Sequence, residues 1–134
     1  MSKILEITID KVYRRSMFRI LVGSTLAEAV REMKRKNTEE LIVTDEEGKG
    51  LGFIDSRDIV RLIAEGKANP DEKVEDVMST PLVTIKLNDT IAKACGIMLE
   101  KGIHHLVVVD DEGHVRGVLS DLDILKAIAF NLVP

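Results

Sequence analysis

The chain has 134 residues, of which 45% are hydrophobic and 31% charged, which suits one ordinary globular domain or two very small subdomains sharing a core. A net charge of −4 without any run of Lys or Arg argues against a nucleic-acid backbone as partner, and no stretch approaches the ~18 apolar residues of a membrane span. The first residues show no signal-peptide core, so a cytoplasmic protein is expected, and the single Cys95 cannot form an internal disulfide.

Met1 to Thr8 carries Ile4 and Ile7, which together with Ile9 suit an extra strand or packing on a partner. Ile9 to Tyr13 then leads into a strand at Phe18–Val22. Thr25 caps a helix that runs to about Lys36, with Glu28 completing a capping box. Leu41–Thr44 and Leu51–Ile54 read as a strand pair around the turn Asp45–Gly48, and Ser56–Ala64 as a helix. Gly66 to Asp71 is a turn-rich connector, and Val74–Met78 a short helical lead-in.

A strand at Leu82–Ile85 follows, with Asn88, Asp89 and Thr90 as N-cap candidates for a helix over Ile91–Lys101 that Gly102 ends. In that helix Ala92, Cys95 and Leu99 mark the expected buried side, which makes Cys95 a small core hydrophobe. Leu106–Val109 is a continuous apolar run suited to a strand buried on both faces. The turn Asp110–Gly113, a strand at Val115–Leu119 and a helix after Ser120 complete the chain, the helix presenting Leu122, Ile124, Leu125, Ile128 and Ala129 as its apolar face.

The second series repeats the first at a constant spacing of sixty-five residues without a gap. Thr25 aligns with Thr90, Met33 with Met98, Asp45 with Asp110, Gly52 with Gly117 and Asp58 with Asp123, and about three positions in ten are identical over Ile9 to Ala64. A unit of about sixty residues is marginal alone, so each copy is expected to lean on the other and to leave a ligand-sized cleft between related halves.

A duplicated strand, helix, strand, strand, helix unit with an Asp-x-x-Gly turn and a Gly-apolar-apolar-Ser/Thr-x-x-Asp ending resembles the cystathionine-β-synthase (CBS) domain pair. The stretches that carry the resemblance are Asp76–Ile85, Gly102–Asp110 and Gly117–Ile124. It implies an α/β (α+β) fold of two β-α-β-β-α units related by pseudo-twofold symmetry. The units would span residues 9–66 and 74–131, joined by 67–73 and preceded by an extension at 1–8. It further implies a homodimer and a regulatory ligand that is an adenine nucleotide (AMP or ATP), adenosine or S-adenosylmethionine, with no cofactor required.

Residues suited to that ligand can be argued from their chemistry. A strand that turns at Ser120 into a helix presents free backbone N–H groups to an anion, and Ser120 adds a hydroxyl. Asp123, one turn in, is spaced to accept hydrogen bonds from a vicinal diol, the ribose-binding role that the resemblance gives this position. The same pair also reads as a plain capping box. By resemblance, adenine would contact Thr80 to Val83 and the region of Ile103, and His104 and His105 would reach phosphate.

The first copy keeps Asp58 but has Asp55 in place of the Ser, a good N-cap and a poor neighbour for phosphate. Arg57 and the Arg14–Arg15 pair are candidates to offset that charge. Glu39 and Glu40 stand where the second copy has His104 and His105, which favours AMP, adenosine or S-adenosylmethionine over ATP. No nucleophile with a neighbouring base, no phosphate-cradling glycine loop and no metal-ligand spacing is found, His114 included, so neither an enzyme nor a metal site is expected. The resulting expectation is a regulatory adenosyl-ligand sensor acting on an unidentified partner protein, the alternative being a ligandless dimerisation scaffold whose motif residues only cap helices.

Overall fold

The computed structural model describes residues 2–132, side chains for residues 3–130. A one-turn helix α1 (Ser2–Leu5) and a 3-10 turn (Ile9–Lys11) open the chain, followed by β1 (Arg19–Leu21), α2 (Leu26–Lys36), β2 (Glu40–Thr44), β3 (Gly50–Asp55) and α3 (Ser56–Ala64). The short α4 (Val74–Val77) precedes β4 (Thr84–Lys86), α5 (Ile91–Lys101), β5 (His105–Val109), β6 (Val115–Ser120) and α6 (Asp121–Leu132). Each strand and helix from β4 and α5 onward starts sixty-five residues after its earlier counterpart, so the sequence repeat is a structural repeat. No helix among the described residues is long and apolar enough to cross a membrane.

Each series folds into its own three-stranded sheet, in the orders β1-β2-β3 and β4-β5-β6. The first pairing in each is parallel, which requires a crossover, and α2 and α5 supply it. The second pairing is antiparallel and closed by a tight turn. In that turn Asp45 Oδ1 accepts the N–H groups of Glu47 and Lys49 at 2.9 Å each, and Gly48 takes φ +86°. The central strands are buried on both faces, as their unbroken apolar runs predict: Leu41, Val43, Leu106 and Val108 are fully inaccessible.

Helix α2 carries the expected capping box, with Glu28 N–H donating to Thr25 Oγ1 at 3.2 Å and Thr25 N–H to Glu28 Oε1 at 3.3 Å. Asn37 (φ +51°) ends α2 in the left-handed conformation, and Gly102 (φ +63°) does the same for α5.

The compact units are offset from the repeat. Met1–Ser16 with Val83–Pro134 forms one unit, here the split unit, and Met17–Leu82 forms the other, the continuous unit. Each lead-in therefore belongs to the core built by the other copy's strands and helices. Ile9 is fully buried among Ile85, Ile91 and Leu106, while Val74, its counterpart sixty-five residues on, is fully buried among Leu26, Leu41 and Ile54. The backbone repeats the arrangement: Ile9 N–H donates to Asp89 O at 2.9 Å, and Val74 N–H to Ser24 O at 2.8 Å.

Three expectations change. The first residues do not form an extra strand: Ser2–Leu5 is helical, and Ile4 and Ile9 are buried within this chain, because the segment closes the core over α5. On α5 the buried stripe is Ile91, Ala94 and Met98, not Ala92, Cys95 and Leu99; Leu99 is exposed and Cys95 half-buried. On α6 only Ile124 of the expected apolar face is fully covered, and Leu122 and Leu125 are exposed.

Candidate functional site

In the split unit, Arg14 and Val118 exchange both backbone hydrogen bonds at 2.9 Å, which lays the chain before β1 alongside β6. That approach is possible because residue 117 is glycine: a Cβ there would lie 2.1 Å from Arg14 O and 2.8 Å from the Tyr13 ring. Where β6 ends, Ser120 and Asp123 cap α6 reciprocally. Asp123 N–H donates to Ser120 Oγ at 3.1 Å and Ser120 N–H to Asp123 Oδ2 at 2.8 Å.

Asp123 is buried, and the same Oδ2 also accepts Arg14 Nε at 3.0 Å. Both of its hydrogen bonds thus fall on one oxygen, and Oδ1 takes none among the described residues. Since no fully buried polar side-chain atom in the described structure lacks a partner, Oδ1 is reachable from outside. Arg14 itself is 54% exposed along its side chain.

The continuous unit repeats the arrangement with different chemistry. Ser79 exchanges both backbone bonds with Phe53, and a Cβ on Gly52 would lie 2.6 Å from Met78 Sδ and 2.8 Å from Ser79 O. Asp55 replaces Ser120 as the cap and makes the same box, Asp58 N–H donating to Asp55 Oδ1 at 2.8 Å and Asp55 N–H to Asp58 Oδ2 at 3.0 Å. Asp58 Oδ1 then accepts Ser79 Oγ at 2.9 Å and Arg61 Nη1 at 3.1 Å. Both oxygens of this buried carboxylate are engaged. Burial holds Asp55 above the ordinary carboxylate range; the Asp58 N–H bond opposes this, and the negative charges of Asp58 and Glu40 add to it.

The other sequence candidates fall as follows. Ile103 and His104 line an apolar groove of about 420 Å³ in the split unit together with Cys95, Leu99, Asp121 and Ile124, and Asp123 is not among the residues of that groove. His104 is 84% exposed along its side chain, with Nδ1 3.1 Å from Asp121 Oδ2. His105 is paired in register with Ser120 across β5 and β6. Thr80 is exposed and lies in the continuous unit beside Ser79, so it accompanies Asp58, whereas Val83 packs on the core of the split unit. Arg57 is exposed and makes no ion pair among the described residues; Arg61 neutralises Asp58 instead.

Arg14 is the residue whose place the sequence did not predict. Sequence reasoning grouped it with the acidic first copy, and the offset of the units delivers it to Asp123 in the second. The constant spacing carried the signal, because Arg14 and Ser79 occupy equivalent positions.

Asp110, Glu112 and His114 bring donor atoms within 4.8 Å of one another at the β5–β6 turn. Asp110 Oδ1 accepts the N–H groups of Glu112 and His114, and the Asp45 turn is built identically with Lys49 where His114 stands. A turn that forms equally well around a lysine is explained by backbone capping.

Comparison with known proteins accords with this geometry. Two matches to the CBS domain cover residues 9–65 and 74–130. An uncharacterized protein of Methanopyrus kandleri is 30% identical over 123 residues, 90% of this chain and 62% of that protein. The chain spans 24% of the length of another relative, from Methanocaldococcus jannaschii. Among solved structures, a Pyrobaculum aerophilum CBS domain protein complexed with AMP superposes with a TM-score of 0.77 at 23% identity, covering 92% of this chain and 99% of that one. The CBS domain pair of a protein in complex with 5′-methylthioadenosine and S-adenosyl-L-methionine gives a TM-score of 0.77 at 22% identity, covering 93% and 98%. With both repeats matched and the fold shared with solved domain pairs, the chain belongs to the CBS domain family as a tandem pair.

Proposed function

We propose that the chain is a regulatory module that binds an adenosyl ligand at Asp123 and passes its occupancy to a partner protein, without catalysis of its own. The observation that carries this reading is the Asp123 carboxylate: buried, oriented by Ser120 and Arg14 through Oδ2, and left with Oδ1 to accept ribose hydroxyls. Support comes from CBS proteins of the same fold whose structures hold AMP, or 5′-methylthioadenosine with S-adenosylmethionine. The output follows from linkage, since a ligand favouring one arrangement of the pair raises the population of that arrangement. Homodimerisation, a cytoplasmic setting and roles for His104, His105, Ile103 and Val83 in holding the ligand belong to the same proposal.

The continuous unit favours the scaffold reading for its own motif. Asp58 has both oxygens engaged and Asp55 adds negative charge, so this pair serves to cap α3 and to fasten the segment around Ser79. One working site per chain is therefore expected. Calorimetric titration with AMP, adenosine, S-adenosylmethionine and ATP tests the proposal, repeated on Asp123→Ala and Asp58→Ala with thermal melts to establish folding. Binding that disappears in a folded Asp123→Ala protein and survives in Asp58→Ala supports it. Absence of binding by every compound would leave the scaffold reading for the whole chain.

A further inference from the structure

Resting on the adenosyl reading of Asp123, we propose that Arg14 makes this site select a nucleotide bearing a 5′-phosphate over the uncharged nucleoside. Arg14 is anchored twice, by the backbone pair with Val118 and by one side-chain bond from Nε to Asp123 Oδ2 at 3.0 Å. That bond uses a single N–H of the guanidinium. The Nη1 and Nη2 groups have no partner among the described residues, and the side chain is 54% exposed. A planar fork held by Nε and open at its Nη edge matches two phosphate oxygens, and because its orientation is already set, little side-chain entropy remains to be lost on binding.

Charge points the same way. Asp123 and Arg14 compensate each other, and Ser120 at the cap is neutral. Asp121, the first residue of α6, is acidic but faces His104 at 3.1 Å. An incoming phosphate therefore meets the open N–H edge of the Arg14 guanidinium and the N-terminal end of a twelve-residue helix whose first turn carries the carboxylates of Asp121 and Asp123. In the continuous unit the equivalent position is the uncharged Ser79, the cap is Asp55, and Arg61 lies against both Asp58 and Glu65. Arg14 is thus the feature by which the two motifs differ most in their capacity for a phosphate.

Calorimetry with AMP and adenosine on the wild type, Arg14→Ser and Arg14→Lys decides the matter. Arg14→Ser installs the residue that the other unit carries at this register, so the pairing with Val118 is retained, and a ligand-free thermal melt checks this. The wild type is expected to bind AMP about tenfold or more tightly than adenosine, as a charge-assisted bidentate contact implies. Arg14→Ser should remove most of that preference and flatten the salt dependence of AMP binding, weakening AMP several-fold more than adenosine; Arg14→Lys should retain part of the preference. Equal weakening of both ligands in Arg14→Ser, or an unchanged ratio, overturns the inference and leaves Arg14 a structural anchor. A wild-type protein that binds neither compound overturns the role of Arg14, and the adenosyl reading falls with it only if S-adenosylmethionine and ATP also fail to bind; a wild type that binds both equally overturns the role of Arg14 alone.

Discussion

Arg14 and Ser79 stand sixty-five residues apart and each places a donor on a buried carboxylate, Arg14 Nε on Asp123 at 3.0 Å and Ser79 Oγ on Asp58 at 2.9 Å. In both cases the donor arrives on a segment whose backbone is paired with the last strand of the sheet, so the backbone sets the contact. The two donors differ in what they bring. An arginine supplies charge as well as a hydrogen bond, while a serine supplies only the bond, and Asp58 draws its compensation from Arg61 on its own helix. The same framework thus holds one carboxylate with an oxygen to spare and one with none.

The close approach that permits this makes Gly117→Ala a damaging substitution. Its new methyl group would sit 2.1 Å from the carbonyl of Arg14, a residue whose backbone is fixed by two hydrogen bonds to Val118, so the segment must move away from β6. A loss of about 2 kcal/mol or more is expected, with Asp123 losing its Arg14 partner as well. Gly96 is the control. It lies within α5, and a methyl group added there would meet nothing within 4 Å, so Gly96→Ala should gain about 0.5–1 kcal/mol. Chemical denaturation of the two variants measures both, and a Gly117→Ala protein as stable as the wild type would contradict the packing account.

Asp58 accepts three hydrogen bonds in a buried setting, and its removal should cost more than removal of any one donor. Asp58→Ala is expected to lose about 2–4 kcal/mol, since Ser79 and the Asp55 N–H both lose their acceptor, and Ser79→Ala about 1 kcal/mol. Urea midpoints at constant slope check the order. A larger loss for Ser79→Ala would show that the hydroxyl does more than fasten its segment.

Much of this architecture was legible in the chain itself. The caps Thr25, Asp55 and Ser120, the turns at Asp45 and Asp110, and the buried runs at Leu41 and Leu106 are local signals, and each lies where its short-range chemistry dictates. The destination of the lead-ins was not legible, because Ile9 and Val74 are apolar residues at the same point of the repeat and nothing local states which core they enter. Arg14 was misplaced for that reason. The faces of α5 and α6 failed differently: Leu99, Leu122 and Leu125 are apolar and exposed, so counting apolar residues identified the wrong stripe.

The acidic cap of α3 carries a pH dependence. Burial, then the nearby charges of Asp58 and Glu40, raise Asp55 above its ordinary 3.8, so its ionisation is disfavoured in the folded state. Stability linked to this group is fully present below about that ordinary value and is lost as pH rises through the elevated folded value. Asp55→Asn keeps a capping oxygen and removes the charge. It should match the wild type at about pH 3 and exceed it near neutrality, by less than about 1 kcal/mol because the partly exposed group is screened by solvent. Denaturation curves at both pH values test this, and an advantage that grows toward acid would reverse the sign and remove the explanation.

The offset between repeat and compact unit makes the most direct prediction about how the chain can be cut. A fragment of residues 17–82 keeps the entire cluster from Ile20 through Val74, whereas a fragment of residues 9–66 lacks Val74 and carries Ile9 with no core to enter. Both are near the size at which a lone domain is marginal, so one missing core residue and an exposed isoleucine are decisive. The 17–82 fragment should show a cooperative melt by circular dichroism, and 9–66 a weaker one or none. In the intact chain Ile9→Ala should cost about 2–5 kcal/mol, and Val74→Ala about 0.8 kcal/mol less for its one fewer carbon. Should 9–66 prove the more stable piece, or Ile9→Ala leave the melt of the split unit unmoved, the exchange of lead-ins between copies would not describe the protein in solution.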